Sequence, residues 1–266
     1  MTVITSSQNS KIKLVRALLG RAKERRDANA FVVEGVRLVE EAVISNWGFQ
    51  FALYDESLNE RGKSLVERLK SRSVEVDEIS ERLMQSLSET EAPQGILAVV
   101  EISNLPILRQ AQDRVSNSLN FVLIPDQIRD PGNIGTLLRT AAATGVQAVL
   151  LPPDTTDAFA PKVIRSGMGA HFRLPIHAMT WDEIRAQTNG LQIYLADMEG
   201  SSCWETDLRQ PLALIIGGEA EGASDEARKL ATQKISIPMV GNIESLNAGV
   251  AGSVLMFEIM RQRSNV

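Results

Sequence analysis

The sequence holds one cysteine, Cys203, and two histidines, His171 and His177, among 266 residues. A lone cysteine excludes an intrachain disulfide and a cysteine-cluster metal site. Two histidines leave too few ligands for a zinc centre and little scope for a histidine-based triad. No run of about 18 apolar residues occurs, so no segment reads as a membrane-spanning helix. The opening MTVITSSQNSKIKLV lacks the charged-then-apolar order of a secretory signal, which sets the expectation of a cytoplasmic protein. The G-x-G-x-x-G spacing is missing too, which argues against a nucleotide-dependent oxidoreductase. The chemistry expected here therefore uses neither a metal nor a nucleophilic thiol.

What is present describes an ordinary folded chain, 44% hydrophobic and 23% charged, long enough for one large domain or two modest ones. The net charge of −5 is unevenly placed. Between Lys11 and Arg26 stand seven basic residues against one acid, Glu24. Taken alone such a run is as often a solvated helix face as a phosphate contact. Its members Lys11, Lys13, Arg16, Arg25 and Arg26 are nonetheless candidates for contact with a phosphate backbone, to which Arg129 and Arg165, with Lys162 and Arg173 nearby, could be added.

Taken in order, residues 1–30 read as one amphipathic basic helix with Ile12, Val15, Leu18 and Leu19 as its stripe. Strands are expected at 31–33, 49–54, 74–76 and 95–100, and helices from Gly35, over 61–71 and over 80–88. Together they make a small α/β domain, 1–103. Polar, proline-bearing residues 104–118 read as a linker. In 119–266, Val/Ile/Leu-rich strands at 121–124, 148–151, 193–196, 212–216 and 235–238 alternate with helices, which predicts a parallel sheet covered on both faces.

Three loops of that second half could meet at the carboxyl edge of such a sheet, where open α/β folds bind ligands. The first, after Ile124, delivers Asn133 at an expected helix N-cap, with Arg139 six residues on and Gly145 as the stop. The second is Gly217-Gly218-Glu219. The third, after Pro238, leads through Ser245 and Asn247 into a helix whose opening is almost all small: Ala248, Gly249, Ala251, Gly252 and Ser253. Two glycines cost such a helix roughly 1 kcal/mol each, so something must approach it closely. Considered singly, Asn133 could be only a cap, Arg139 a surface salt bridge and Glu219 a solvated turn residue.

The runs NIGTLLRTAAATG, LIIGGEAEGAS and ISIPMVGNIESLNAGVAGSVLMFE resemble, in that order, the three signature motifs of the SpoU (TrmH-like) RNA ribose 2′-O-methyltransferases. FVVEGVRLVEEA and PQGILAVV resemble the ribosomal-protein-like substrate-binding domain that precedes the catalytic domain in many members. The resemblance implies an α/β trefoil-knot (SPOUT) domain at 119–266 behind an RNA substrate-binding domain, a homodimer, and S-adenosylmethionine as cofactor. It implies methyl transfer to a ribose 2′-hydroxyl, with ribosomal RNA favoured over transfer RNA; a catalytically silent RNA-binding protein is the non-enzymatic alternative. Matched position by position, the catalytic set is Asn133, Arg139, Glu219, Ser245 and Asn247. Gly217, Gly218, Ile237, Met239 and Leu246 fall where the family binds the cofactor.

Overall fold

The computed structural model describes residues 3–90, 92–102, 119–219, 222–241 and 245–264. They divide into two compact units, Met1–Asn104 with Phe159–Arg165, and Leu105–Ala158 with Ser166–Val266. The linker expected at 104–118 lies outside the described residues.

The first unit opens with two helices, α1 (Ser10–Gly20) and α2 (Ala22–Ala28), where one was expected. The chain breaks at Arg21, which is extended at φ −134° and ψ 131°. The buried guanidinium of Arg25 then donates to the Leu18 carbonyl, one of the acceptors a helix end leaves open. Ile12, Val15 and Leu18 are fully buried, so the predicted stripe survives the break. There follow β1 (Ala30–Glu34), α3 (Val36–Ile44), β2 (Phe49–Tyr54), α4 (Glu60–Ser71), β3 (Val76–Glu78), α5 (Glu81–Leu87) and β4 (Ile96–Glu101). The strands form one sheet in the order β1-β4-β2-β3, antiparallel except for the β2–β3 pair. α1 and α5 cover one face, packing Ile12, Leu18, Leu83 and Met84 against Val32, Leu53 and Val99.

The second unit is built on β5 (Phe121–Pro125), α6 (Pro131–Thr144), β6 (Ala148–Leu151), β7 (Ile176–Ala178) and α8 (Trp181–Gln187), while α7 (Pro161–Gly167) belongs as far as Arg165 to the first unit. It closes with β8 (Gln192–Ser202), β9 (Leu212–Ile216), α9 (Asp225–Leu230), β10 (Gln233–Ser236) and α10 (Ala248–Ser264). The strand order is β10-β8-β9-β5-β6-β7 and every pairing is parallel, as the unbroken apolar strands foretold. β7 is too short at three residues to stand out in the sequence; Val149 N–H to the Pro175 carbonyl at 2.9 Å fixes its register. Ile184 of α8 and Ala227 of α9 seal one face over Val122, Ile124, Ile193 and Ile215.

α10 comes back over α6 at close range. A Cβ on Gly252 would sit 2.3 Å from Leu137 Cδ2 and 3.2 Å from Ile216 Cγ1. Thr140 and Ser253 hydroxyls meet at 2.8 Å across the same seam. The other end of α6 is held as tightly, since a Cβ on Gly135 would fall 1.8 Å from Ser166 Oγ. Among the described residues no helix is long and apolar enough to cross a membrane.

His171 anchors this region from inside. It is fully buried, with Nε2 2.7 Å from the Ala158 carbonyl, and burial lowers its pKa to about 4. The folded ring therefore stays neutral down to about pH 4, whereas an unfolded chain protonates it near 6.5. Its stabilising contribution is complete above pH 6.5 and is lost as the pH falls towards 4. Urea unfolding across that window is expected to show a loss of roughly 3 kcal/mol that is absent in His171→Leu; an unchanged slope in the variant would place the acid sensitivity elsewhere.

Candidate active site

The first loop is fixed by a cap different from the one expected. Asp130, extended at φ −77° and ψ 120°, is the N-cap of α6; its carboxylate accepts the Asn133 N–H at 2.9 Å. Pro131 has no N–H to satisfy and a φ suited to the first helical position, so Asp-Pro starts the helix and Asn133 stands in its first turn. That frees the Asn133 carboxamide, which is 8% exposed, to reach out of the helix. Its Nδ2 donates to Glu219 Oε1, tying the first loop to the second.

The second loop leaves β9 and folds back at once. Gly218 N–H donates to the Gly222 carbonyl at 2.9 Å and Gly222 N–H returns to Gly218 at 3.1 Å. Gly222 needs its left-handed φ of +72° for this. A Cβ on Gly218 would lie 2.6 Å from the Gln127 carbonyl oxygen, so the first loop presses directly on the second. Beneath them Asp126 is wholly buried; Oδ2 accepts the Ser224 N–H at 2.6 Å while Oδ1 has no hydrogen-bond partner among the described residues. Burial raises its pKa, against the opposing pull of the Ser224 contacts.

The third loop closes the group. Asn247 Oδ1 accepts the Val250 N–H at 3.1 Å, capping α10. A Cβ at Gly249 would stand 3.1 Å from Asn133 Oδ1 and 3.2 Å from Asn247 Oδ1. A side chain here would crowd both carboxamides, and glycine leaves them room. Arg139 stands apart from this meeting point. It lies six residues, about 240° of helix rotation, beyond Asn133. It is exposed and has no hydrogen-bond or ion-pair partner among the described residues.

One cavity of about 880 Å³ opens at this edge of the sheet. Gly217, Gly218, Ile237, Met239 and Leu246 line it, and Glu219, Ser245 and Asn247 supply polar groups. Its wall also carries Asp197, Glu199, Arg228 and Lys234, none of which the sequence reading singled out. Mostly apolar walls with a few convergent polar groups are what a small-molecule site requires, and the volume lies within the usual range for one. Among the described residues no cluster of metal ligands exists.

The comparisons with known proteins decide the family. The profile of the SpoU rRNA Methylase family matches residues 120–257, and that of the MRM3-like substrate binding domain matches residues 9–98. The chain belongs to the SpoU rRNA methylase family. It is 32% identical to the 23S rRNA (guanosine(2553)-2′-O)-methyltransferase RlmP of Bacillus subtilis, over 97% of this chain and 99% of that one. The SpoU methyltransferase AviRb of Streptomyces viridochromogenes, solved with AdoMet, superposes with a TM-score of 0.81 at 29% identity, covering 97% of this chain and all of that one. An AdoMet-bound rRNA methyltransferase from Sinorhizobium meliloti gives 0.85 at 27% identity, over 98% and 97%. The SpoU resemblance read from the three motifs and the small N-terminal domain is thus confirmed.

The basic candidates of the first unit separate by environment. Lys13 and Arg26 are exposed, and Arg16 donates to Ser86 at 3.2 Å from an exposed position. Lys11 is committed inside the fold: its ammonium pairs with Glu75 at 2.6 Å and with Asp77, and lies 5.3 Å from the Phe51 ring centroid. Arg25 is buried on the Leu18 carbonyl. The structure therefore removes Lys11 and Arg25 from the set that can reach a phosphate, because each already satisfies an internal partner. Arg165 is engaged by Glu89 at 2.8 Å, and Arg129 is exposed. Replacing Arg25 by Ala should lower stability by about 2 kcal/mol in urea unfolding, by loss of a buried charged hydrogen bond. The salt dependence of RNA affinity should stay unchanged in that variant while it flattens in Lys13→Ala/Arg26→Ala; a flatter slope in Arg25→Ala would return it to the contact set.

Proposed function

We propose that this protein transfers a methyl group from S-adenosylmethionine to a ribose 2′-hydroxyl of ribosomal RNA, as a cytoplasmic homodimer. The observation that carries this reading is the convergence of all three motif loops: Asn133 bonded to Glu219, and Asn133 and Asn247 each close to Gly249, beside one cavity. The named relatives act on 23S rRNA at a ribose 2′-O position, or were solved with the cofactor, over nearly the whole length of this chain.

The cavity fits the cofactor. Gly217 and Gly218 bring backbone to its wall without side chains, and Ile237, Met239 and Leu246 give apolar surface for an adenine ring. When bound, the cofactor supplies a methyl already activated on a sulfonium sulfur. Methylation of the ribose oxygen would release its hydroxyl proton, which needs an acceptor. The protein's task is thus to align two partners and receive a proton. Asn133 orients the Glu219 carboxylate through its amide, and Ser245 and Asn247 supply further hydrogen-bonding groups along the same wall. Guanidinium keeps its proton in proteins, so Arg139 serves as a phosphate clamp rather than a base. An exposed arginine with no partner among the described residues is suited to that work.

The N-terminal unit, 1–103, is assigned to RNA substrate binding and 119–266 to methyl transfer, with the exposed Lys13, Arg16 and Arg26 as phosphate contacts. The threading of the last segment into a knot, and the dimer, are carried over from the family. The dimer has support on the outer face of α10. There Phe257 is about half exposed and shares a groove of about 520 Å³ with Val254 and Met260, beside an equally exposed Trp204. An apolar patch of this kind on a soluble protein marks a contact surface.

Labelled methyl from S-adenosylmethionine, offered to unmodified ribosomal and transfer RNA, should enter ribosomal RNA at a single site resistant to alkaline cleavage. Arg139→Ala should reduce incorporation about a hundredfold or more with cofactor affinity unchanged. Arg139→Lys should restore little, since a point charge does not reproduce the guanidinium fork. Label in transfer RNA alone would overturn the substrate, and full activity in Arg139→Lys would overturn the clamp.

A further inference from the structure

The β8–β10 ladder contains a feature that neither motif order nor the transfer step accounts for. Leu195 pairs with Lys234 and Ser201 with Ile235, so residues 196–200 of β8 have no opposite partner on β10. An excursion at the carboxyl end of a strand re-aims its side chains. This one carries Asp197 and Glu199 onto the wall of the large cavity. It is pinned at Gly200, where a Cβ would come within 2.4 Å of the Ile235 nitrogen.

Within the excursion Asp197 is the ordered acid. Its side chain is 17% exposed, against 84% for Glu199. Asp197 Oδ1 accepts the Glu199 N–H at 3.0 Å, and Oδ2 faces Lys234 Nζ at 2.9 Å and an Arg228 guanidinium nitrogen at 3.6 Å. Two cations already answer its charge, so the carboxylate offers no net attraction to a further ammonium group. It keeps unused lone pairs on two fixed oxygens. A neutral group with two adjacent hydroxyl donors matches that surface, and a strand-end carboxylate is a recurrent acceptor for nucleoside ribose.

Resting on the reading of this cavity as the S-adenosylmethionine pocket, we propose that Asp197 is the acceptor for the cofactor's ribose cis-diol and sets the pocket's preference for a ribonucleoside. Lys234 and Arg228 hold the carboxylate in place and keep it ionised. Gly217, Gly218, Ile237, Met239 and Leu246 meet the nucleoside through backbone and apolar surface, and the excursion adds a side-chain test of the sugar.

Calorimetric binding of S-adenosylhomocysteine and its 2′-deoxy and 3′-deoxy counterparts tests this without turnover. The wild-type protein should bind the ribo ligand about tenfold or more tightly than either deoxy ligand, the usual worth of a hydrogen bond to a charged group. Asp197→Ala should lose that margin, weakening the ribo ligand while the deoxy ligands change less than about threefold. Should the alanine variant not fold, Asp197→Asn preserves volume and one acceptor and should reduce the ratio in the same direction. Lys234→Met should keep a ribo-over-deoxy preference, because the acceptor remains. Equal weakening of all three ligands in Asp197→Ala, or an unchanged ratio, would overturn the assignment and leave Asp197 a structural residue. Collapse of the ratio in Lys234→Met with an intact ratio in Asp197→Ala would move discrimination to the lysine. Failure of the wild-type protein to bind any of them would overturn the cofactor pocket itself, a different outcome from loss of sugar preference alone.

Discussion

The close approach of α10 to α6 is the constraint on which the second unit depends. Gly252 lets the last helix press onto Leu137 and Ile216, and Gly249 lets it pass the Asn133 and Asn247 carboxamides. Two helical glycines cost about 2 kcal/mol in intrinsic preference, an amount that packing of this density can offset. Closeness brings the third loop to the first, and Asn133 carries the connection onward to Glu219 on the second. Loops from distant parts of the chain therefore share one frame because one helix has almost no side chains where it crosses another.

Beneath that frame lies a second support of different physical character. Asp126 follows β5 and accepts the Ser224 N–H, while its own N–H donates to the Ile216 carbonyl at 2.8 Å. It thus links the exits of β5 and β9, the strands that present the first and second loops. Burial raises its pKa, and one oxygen has no partner among the described residues, so the bond is held in an environment unfavourable to the charge. A buried carboxylate is a poor source of stability but a good source of geometric definition, since few alternative positions satisfy it. Its value here is that Ser224, the N-cap of α9, closes the Gly217–Gly222 turn at a fixed place.

Much of this was legible in the residues, and unevenly so. Unbroken apolar strands such as Leu212–Ile216 announced a parallel sheet because both faces are covered. Small residues from Ala248 to Ser253 announced close approach because nothing else explains glycines in a helix. Asp-Pro-Gly-Asn carried a readable start signal too, with an acid ahead of proline. Preference for Asn133 as the cap overlooked that proline suits the first helical position. The Gly20–Arg21 break was hidden because Ile12, Val15 and Leu18 continue one stripe and the compensating bond comes from Arg25, a residue whose type usually stays outside. The excursion at 196–200 left no trace in composition, since register is a property of two strands and neither β8 nor β10 records it alone.

The fate of the charged residues follows from the same distinction between type and surroundings. A run of seven bases between Lys11 and Arg26 looks uniform in sequence, yet its members divide into internal struts and open cations. Lys11 is drawn inward by Glu75 and Asp77, whose positions on and beside β3 could not be guessed from sixty-odd residues away. Arg139 shows the converse. Set on a helix among small and apolar neighbours, it is exposed and has no hydrogen-bond or ion-pair partner among the described residues. A charge already answered internally contributes to the fold, and one left unanswered remains available to a ligand. By that criterion Arg139 is available to a ligand, whereas Asp197, its charge answered by Lys234 and Arg228, has only spare lone pairs to offer a neutral donor.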